Sequence, residues 1–218
     1  MLPDLPFKSP PLPLPRIIAT LLVAVTITCS ALAGEFNPTR NIGDVVPAWS
    51  GLPGTDGRKH SWEDLADTDA VVVVFTCNDC PYAVDYEERI NDLAIHYAGQ
   101  GERVAVVAIN SNQAKSESLE AIQERARARD FRFPYLIDAS QEVSRTFGAL
   151  RTPEFFVLDG SRRIVYMGAM DDDTQESLVR HRHVADALEA VLAGRPVELS
   201  ETAPVGCLIT TARRRDAR

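Results

Sequence analysis

The apolar run Ala70-Val71-Val72-Val73-Val74-Phe75 leads, through Thr76, into Cys77-Asn78-Asp79-Cys80-Pro81. Such a β-branched run predicts a strand buried on both faces. Pro81 suits the first turn of a following helix. The two cysteines therefore fall at a strand-to-helix junction, with Cys77 expected at the helix N-terminus and Cys80 about one turn behind. Unpaired N–H groups at that end favour a thiolate, and the spacing lets the sulfurs close a bond. The pattern points to reversible thiol–disulfide exchange. Cys77 is the expected nucleophile on a partner disulfide, and Cys80 then attacks the mixed disulfide and releases the reduced partner. A helix N-terminus gives an anion about 0.3–1 kcal/mol, or about 2 when partly buried. One pKa unit is about 1.4 kcal/mol, so the dipole accounts for about one unit. A charged Asp79 would oppose it, and no histidine lies between the cysteines. The expectation is a moderate thiolate on Cys77, tuned for reduction or exchange.

The rest of the chain alternates strand and helix patterns. Residues 41–65 read as an irregular or hairpin entry, with a turn at Asp56-Gly57 and Ser61 capping a short turn through Trp62 and Leu65. A helix from Pro81 carries Val84, Ile90, Leu93, Ile95 and Tyr97 on its apolar side and Glu87, Glu88, Arg89 and Asp92 on its wet side; Gly99 and Gly101 end it. Residues 103–110 form a second strand, 116–129 a polar helix, and 133–138 a third strand interrupted by Pro134. Ser140 is expected to cap a short helix closed by Gly148. Residues 154–158 and 163–168 flank Asp159-Gly160 as an antiparallel hairpin, and a last helix is expected from Thr174 to Ala193. The order β–α–β–α–β–α–β–β–α predicts an α/β sandwich with a mixed sheet.

Of 218 residues, 45% are hydrophobic, enough for one core plus extensions. The formal charge of −8 argues against generic nucleic-acid binding, which needs a basic face. The basic run Arg213-Arg214-Arg215 reads as a solvated tail. Lys8 and Arg16, the apolar stretch Ile17–Ile27 and Ala31-Leu32-Ala33 follow the order of a secretory signal over residues 1–33, read as cleaved. The expected organisation is a signal over 1–33, a domain over 34–194 and a tail over 195–218, with the protein periplasmic or secreted. Membrane contact follows only if the leader is retained. Cleavage would remove Cys29 and leave Cys77, Cys80 and Cys207, a working pair plus one thiol.

Arg151-Thr152-Pro153 enters the strand that begins at Glu154. A cis bond at Pro153 would turn the Thr152 backbone towards the sulfurs, where it could pair with an extended partner peptide. An ordinary trans proline starting a strand is the plainer alternative. Thr152 and Pro153 are the candidate substrate-binding residues.

Several segments together resemble the thioredoxin-like redoxin family, in the branch allied to the alkyl hydroperoxide reductase/thiol-specific antioxidant superfamily. They are Ile42-Gly43-Asp44 with Pro47 and Trp49, Asp56-Gly57, Asp64-Leu65, the valine strand, Phe75-Thr76-Cys77-Asn78-Asp79-Cys80-Pro81-Tyr82, and Thr152-Pro153-Glu154-Phe155-Phe156-Val157-Leu158-Asp159. The likeness spans about residues 40–193. It implies a thioredoxin fold, a three-layer sandwich with a mixed central sheet and an inserted strand–helix unit, a redox-active Cys77–Cys80 pair and a cis Pro153. Asn78-Asp79 replaces the Gly-Pro of thioredoxin, so the redox potential does not carry over. The peroxiredoxin pattern P-x-x-x-T-x-x-C is absent: Val74 and Ala70 stand where Cys77 would require Thr and Pro, and Cys77 and Val73 where Cys80 would. Peroxide reduction is thereby the weaker alternative. Gly206-Cys207-Leu208-Ile209 also resembles a C-terminal Gly-Cys segment of similar proteins, which makes Cys207 a candidate third thiol; a lone tail thiol is the other reading.

The implied partners are proteins bearing a disulfide or dithiol, with an unidentified electron donor or acceptor. No cofactor and no resident metal is expected. Two rival readings use the same cysteines: a Cu(I) or Zn site completed by His181 or His183, and a non-catalytic module in which the pair is a structural bridge. His60 and His96 read as solvated, and Asp171-Asp172-Asp173 as the approach to a helix cap.

Overall fold

The computed structural model describes residues 34–101 and 103–210. The leader expected over 1–33, with Cys29, and the run Arg213–Arg215 lie outside the described residues. The strands are β1 (Leu52–Pro53), β2 (Lys59–His60), β3 (Ala70–Phe75), β4 (Val104–Asn110), β5 (Tyr135–Ile137), β6 (Arg151–Thr152), β7 (Glu154–Asp159), β8 (Ile164–Gly168) and β9 (Cys207–Leu208). The helices are α1 (Pro81–Gln100), α2 (Leu119–Ala128), α3 (Glu142–Phe147) and α4 (His183–Leu192).

The central sheet has the order β5-β4-β3-β7-β8. β3 runs parallel to β4 and antiparallel to β7, so the sheet is mixed. All six residues of β3 are buried because the strand lies mid-sheet between two apolar layers. Side chains alternate between the faces of a strand. Val72 and Val74 pack with Tyr86 and Ile90 of α1, Ile122 of α2 and Leu188 of α4. Val71, Val73 and Phe75 pack with Phe147 of α3, Trp49, Leu65 and Phe156. The result is the expected three-layer α/β sandwich. β4, α2, β5 and α3 occupy the stretch between α1 and β6, and the Thr152–Pro153 bond is cis.

Several boundaries differ from expectation, each for a local reason. The polar helix starts at Leu119, not Ser116, because Ser118 caps it by accepting from the Ala121 N–H. The third strand shortens to Tyr135–Ile137, after Pro134, which has no N–H for the ladder. Ser140 does not cap α3 alone: Asp138 accepts from the Glu142 and Ser144 N–H groups, and Gln141 takes a positive φ of 58°. The last helix begins at His183 rather than Thr174. The carbonyls of Asp173 and Thr174 and the carboxylate of Asp171 are instead turned onto the Arg89 guanidinium. Asp171 and the Asp173 carbonyl therefore serve Arg89, while the Asp172 carboxylate accepts the Arg180 and His181 N–H groups; none of the three caps α4.

The wet side assigned to α1 is half wrong. Arg89 is only 4% exposed and pairs with Asp171 at 2.5 Å. Glu87 is also buried and holds Arg125 of α2 at 2.7 Å, while Ile95 is exposed. His60 is not a solvated loop residue; it lies in β2 and pairs with Asp56 at 3.0 Å. His96 is exposed on α1.

Residues 195–210 fold back on the domain. Met167 of β8 donates its N–H to Ser200 and accepts from Thr202, and β9 pairs antiparallel with β6, setting Thr152 opposite Cys207.

Candidate active site

Cys80, not Cys77, stands at the helix start. Pro81 is the first residue of α1, Cys80 is its N-cap, and the Cys80 carbonyl accepts the Val84 N–H. Cys77 lies ahead of the helix in the loop that leaves β3. The loop is shaped by Glu117, a buried residue in the turn before α2. Its two carboxylate oxygens accept the N–H groups of Asn78 and Asp79, each at 2.9 Å, and one also accepts from Asn110 Nδ2 at 2.7 Å. The asparagine Asn78 reaches Tyr135 and the Ser116 carbonyl, and Asp79 accepts from the Ser116 hydroxyl.

Both sulfurs face residue 152. Cys77 Sγ lies 3.2 Å from Thr152 Oγ1, and Cys80 donates its thiol hydrogen to the Thr152 carbonyl at 2.9 Å. Cys77 and Cys80 are 5% and 2% exposed and pack with Ala83 and Cys207. All three described cysteines are free thiols. The backbone N–H of Cys207 donates to Cys80 Sγ at 3.4 Å, and the Cys207 thiol hydrogen-bonds the same sulfur. A cavity of about 120 Å³ is lined by Cys77, Cys80, Glu117, Asn112, Cys207 and Thr210. Small-molecule sites occupy about 300–1,000 Å³. This one is smaller than that range.

The electrostatics reverse the expected order of the sulfurs. Burial pushes the Cys77 thiol up to about 11, and the nearby Glu117 carboxylate adds to the rise. Burial also acts on Cys80, but hydrogen bonds from the Cys207 thiol, the Ala83 and Cys207 N–H groups and Thr152 outweigh it and hold Cys80 below the ordinary thiol value. Cys207 is raised to about 11, chiefly by its bond to Cys80. The stabilised thiolate expected on Cys77 thus belongs to Cys80. The acid that bears on Cys77 is Glu117 rather than Asp79.

The structure brings Cys77, Cys80, Thr152, Pro153 and Cys207 together and leaves His181 and His183 elsewhere. Those two rings stack on each other, 6.4 Å apart, at the start of α4. Among the described residues no group of three His, Cys, Asp or Glu side chains could hold a metal ion. Two further residues carry no site signal in the sequence: Glu117, inside a polar helix pattern, and Glu154, which reads only as the start of a strand. Glu154 follows Pro153, accepts the Leu150 and Arg151 N–H groups, and is raised to about 7 by burial.

A family model described as Redoxin matches residues 41–187. No curated protein matches the chain. Among solved structures, a hypothetical protein of Sinorhizobium meliloti 1021 is 36% identical, with a TM-score of 0.74 over 81% of this chain and 98% of that one. An uncharacterized conserved protein of Geobacillus kaustophilus is 31% identical, with a TM-score of 0.74 over 81% and 95%. The peroxidoxin BcpB of Mycobacterium tuberculosis is 22% identical, with a TM-score of 0.54 over 74% and 99%, a likeness of fold alone.

Proposed function

Because the chain belongs to the Redoxin family, with the match spanning residues 41–187, we propose that it is a thiol–disulfide oxidoreductase in which Cys77 and Cys80 alternate between dithiol and disulfide. One observation carries the reading: both sulfurs converge on Thr152, within 3.2 and 2.9 Å, beside the cis Pro153. That convergence sets the two thiols against a backbone edge able to hold an extended peptide. A partner disulfide is attacked by one thiolate, giving a mixed disulfide, and the second sulfur displaces the reduced partner. In the dithiol form Cys80 is the better-stabilised thiolate, while Cys77 gains reactivity once burial is relieved. Leu150, Val205 and Leu208 lie within or beside β6 and β9 and are exposed, an apolar rim for a protein partner. The leader pattern over residues 1–33 supports action outside the cytoplasm, on proteins that carry disulfides.

The test is turnover. The full chain should reduce insulin disulfides with dithiothreitol as donor, and Cys77→Ser or Cys80→Ser should each lower the rate about 100-fold or more. Oxidation with glutathione disulfide should give a Cys77–Cys80 bridge by mass spectrometry. Undiminished turnover in both variants would refute the assignment.

A further inference from the structure

The edge that a partner peptide needs is already occupied. β9 lies antiparallel on β6, with Cys207 opposite Thr152 and Leu208 opposite Arg151. Arg151 Nη1 donates to the Gly206 carbonyl at 2.7 Å, and the Ile209 N–H donates to the Leu150 carbonyl at 2.9 Å. Gln141 Nε2 donates to the Thr210 carbonyl, and both the N–H and the hydroxyl of Thr210 donate to Asn112 Oδ1. Gly206 crosses so close to the Thr152–Pro153 peptide that a side chain there would collide with the Thr152 carbonyl. Main-chain pairing on an open edge is how folded domains hold extended peptides. Here the chain supplies that peptide itself, and the residue it sets against Cys80 is a cysteine.

We propose that the segment around Cys207 is a built-in peptide on the partner-binding edge, and that Cys207 is a third exchanging sulfur, forming a Cys80–Cys207 disulfide in equilibrium with the Cys77–Cys80 disulfide. The inference rests on the exchange chemistry proposed above and adds a residue and a gate to it. From the Cys77–Cys80 disulfide, Cys207 loses its proton and its thiolate attacks Cys80 Sγ. The Cys80–Cys207 bond forms as the Cys77–Cys80 bond breaks; Cys77 leaves with the electron pair and takes up a proton. One disulfide is exchanged for another, so no oxidant or reductant is consumed. Cys207 is partly exposed and the neighbouring Leu208 is 64% exposed, so the third sulfur sits nearer solvent than the other two. A visiting peptide must displace β9 to reach Thr152.

Cys77→Ser isolates the new bond. With glutathione disulfide, Cys80 and Cys207 should close an intrachain bridge and release two glutathione thiols, so that most chains carry it by peptide mapping. A glutathione adduct on Cys80 with Cys207 free, or bridges only between chains, would overturn the proposal. Gly206→Ala in the Cys77→Ser background should slow intrachain closure about tenfold by lowering the effective concentration of Cys207; unchanged closure would refute the role of the docked strand. Gly206→Ala/Cys207→Ser should reduce insulin several-fold faster than Cys207→Ser alone, and equal rates would refute the gate. A wild-type chain that fails to form the Cys77–Cys80 bridge would sink the proposed function, a result separate from these.

Discussion

Hydrogen bonding divides two sulfurs that burial alone would treat alike. Cys80 collects donors from Ala83, Cys207 and Thr152, while Cys77 has the Thr152 hydroxyl and the Cys80 N–H set against burial and the Glu117 carboxylate. In ultraviolet thiolate titration of the reduced chain, the first step should belong to Cys80, vanish in Cys80→Ser, and move up in Cys207→Ser. The Cys77 step should appear near 11. A first step that survives Cys80→Ser would contradict the hydrogen-bond account. Glu154 makes a second prediction. Its folded value of about 7 stands above the ordinary 4.5, so the folded state holds a proton that the unfolded state has released between those values. Stability is then fully present below about 4.5 and falls as pH rises through about 7, by about 2–4 kcal/mol. Glu154→Gln keeps an acceptor for the Leu150 and Arg151 N–H groups and cannot ionise. Urea unfolding across that pH range should show a flat profile for the variant and a slope for the wild type.

Elements were legible from sequence where apolar pattern and turn chemistry agreed. β3, the start of α1 at Pro81 and the β7–β8 hairpin follow directly from such signals. Ser61 also stands at the N-cap of a short turn as read, with Asp64 accepting its N–H and the Ser61 hydroxyl accepting the Gly51 N–H. What failed were charged residues whose partners lie far along the chain. Glu87 and Arg89 look like a wet helix face until Arg125 and Asp171 are brought to them. Nothing local distinguishes a carboxylate bound for a core ion pair from one bound for water. The same reason hid Glu117, which reads as an early helix glutamate but anchors the loop between the cysteines. The Arg89–Asp171 pair has a measurable consequence. Asp171→Ala takes the carboxylate from a buried guanidinium and from the Tyr86 hydroxyl, leaving the charge only backbone carbonyls such as those of Asp173 and Thr174. Removing one member of a buried pair costs about 3–5 kcal/mol. Chemical denaturation should show that loss, and a loss under about 1 kcal/mol, the scale of exposed pairs, would mean the site is wetter than the packing implies.

At the scale of the molecule, the segments beyond the Redoxin match are tied to each other and to the sulfurs. Glu201 accepts the N–H groups of Glu35 and Phe36, and Asn37 donates to the Phe147 carbonyl, so residues 34–37 are held from both sides. One residue further on, Thr202 Oγ1 meets the Tyr166 hydroxyl at 2.6 Å and accepts the Ala169 N–H at 3.0 Å. The chain between Thr202 and β9 is short, so the anchor at β8 sets where Cys207 can reach. Sequence periodicity carries no sign of this, because residues 200–210 form pairs of two residues rather than a regular element. Thr202→Val keeps the shape and removes the hydroxyl. It leaves the partly buried Ala169 N–H without its acceptor, at a cost of about 0.5–1.5 kcal/mol. The loosened anchor should also let β9 leave Thr152 more often, so iodoacetamide should label Cys207 faster in the variant while the Cys77–Cys80 bridge still forms. Destabilisation without faster labelling would mean that Arg151, Asn112 and Gln141 hold the strand unaided, and that the β8 anchor serves the sheet alone.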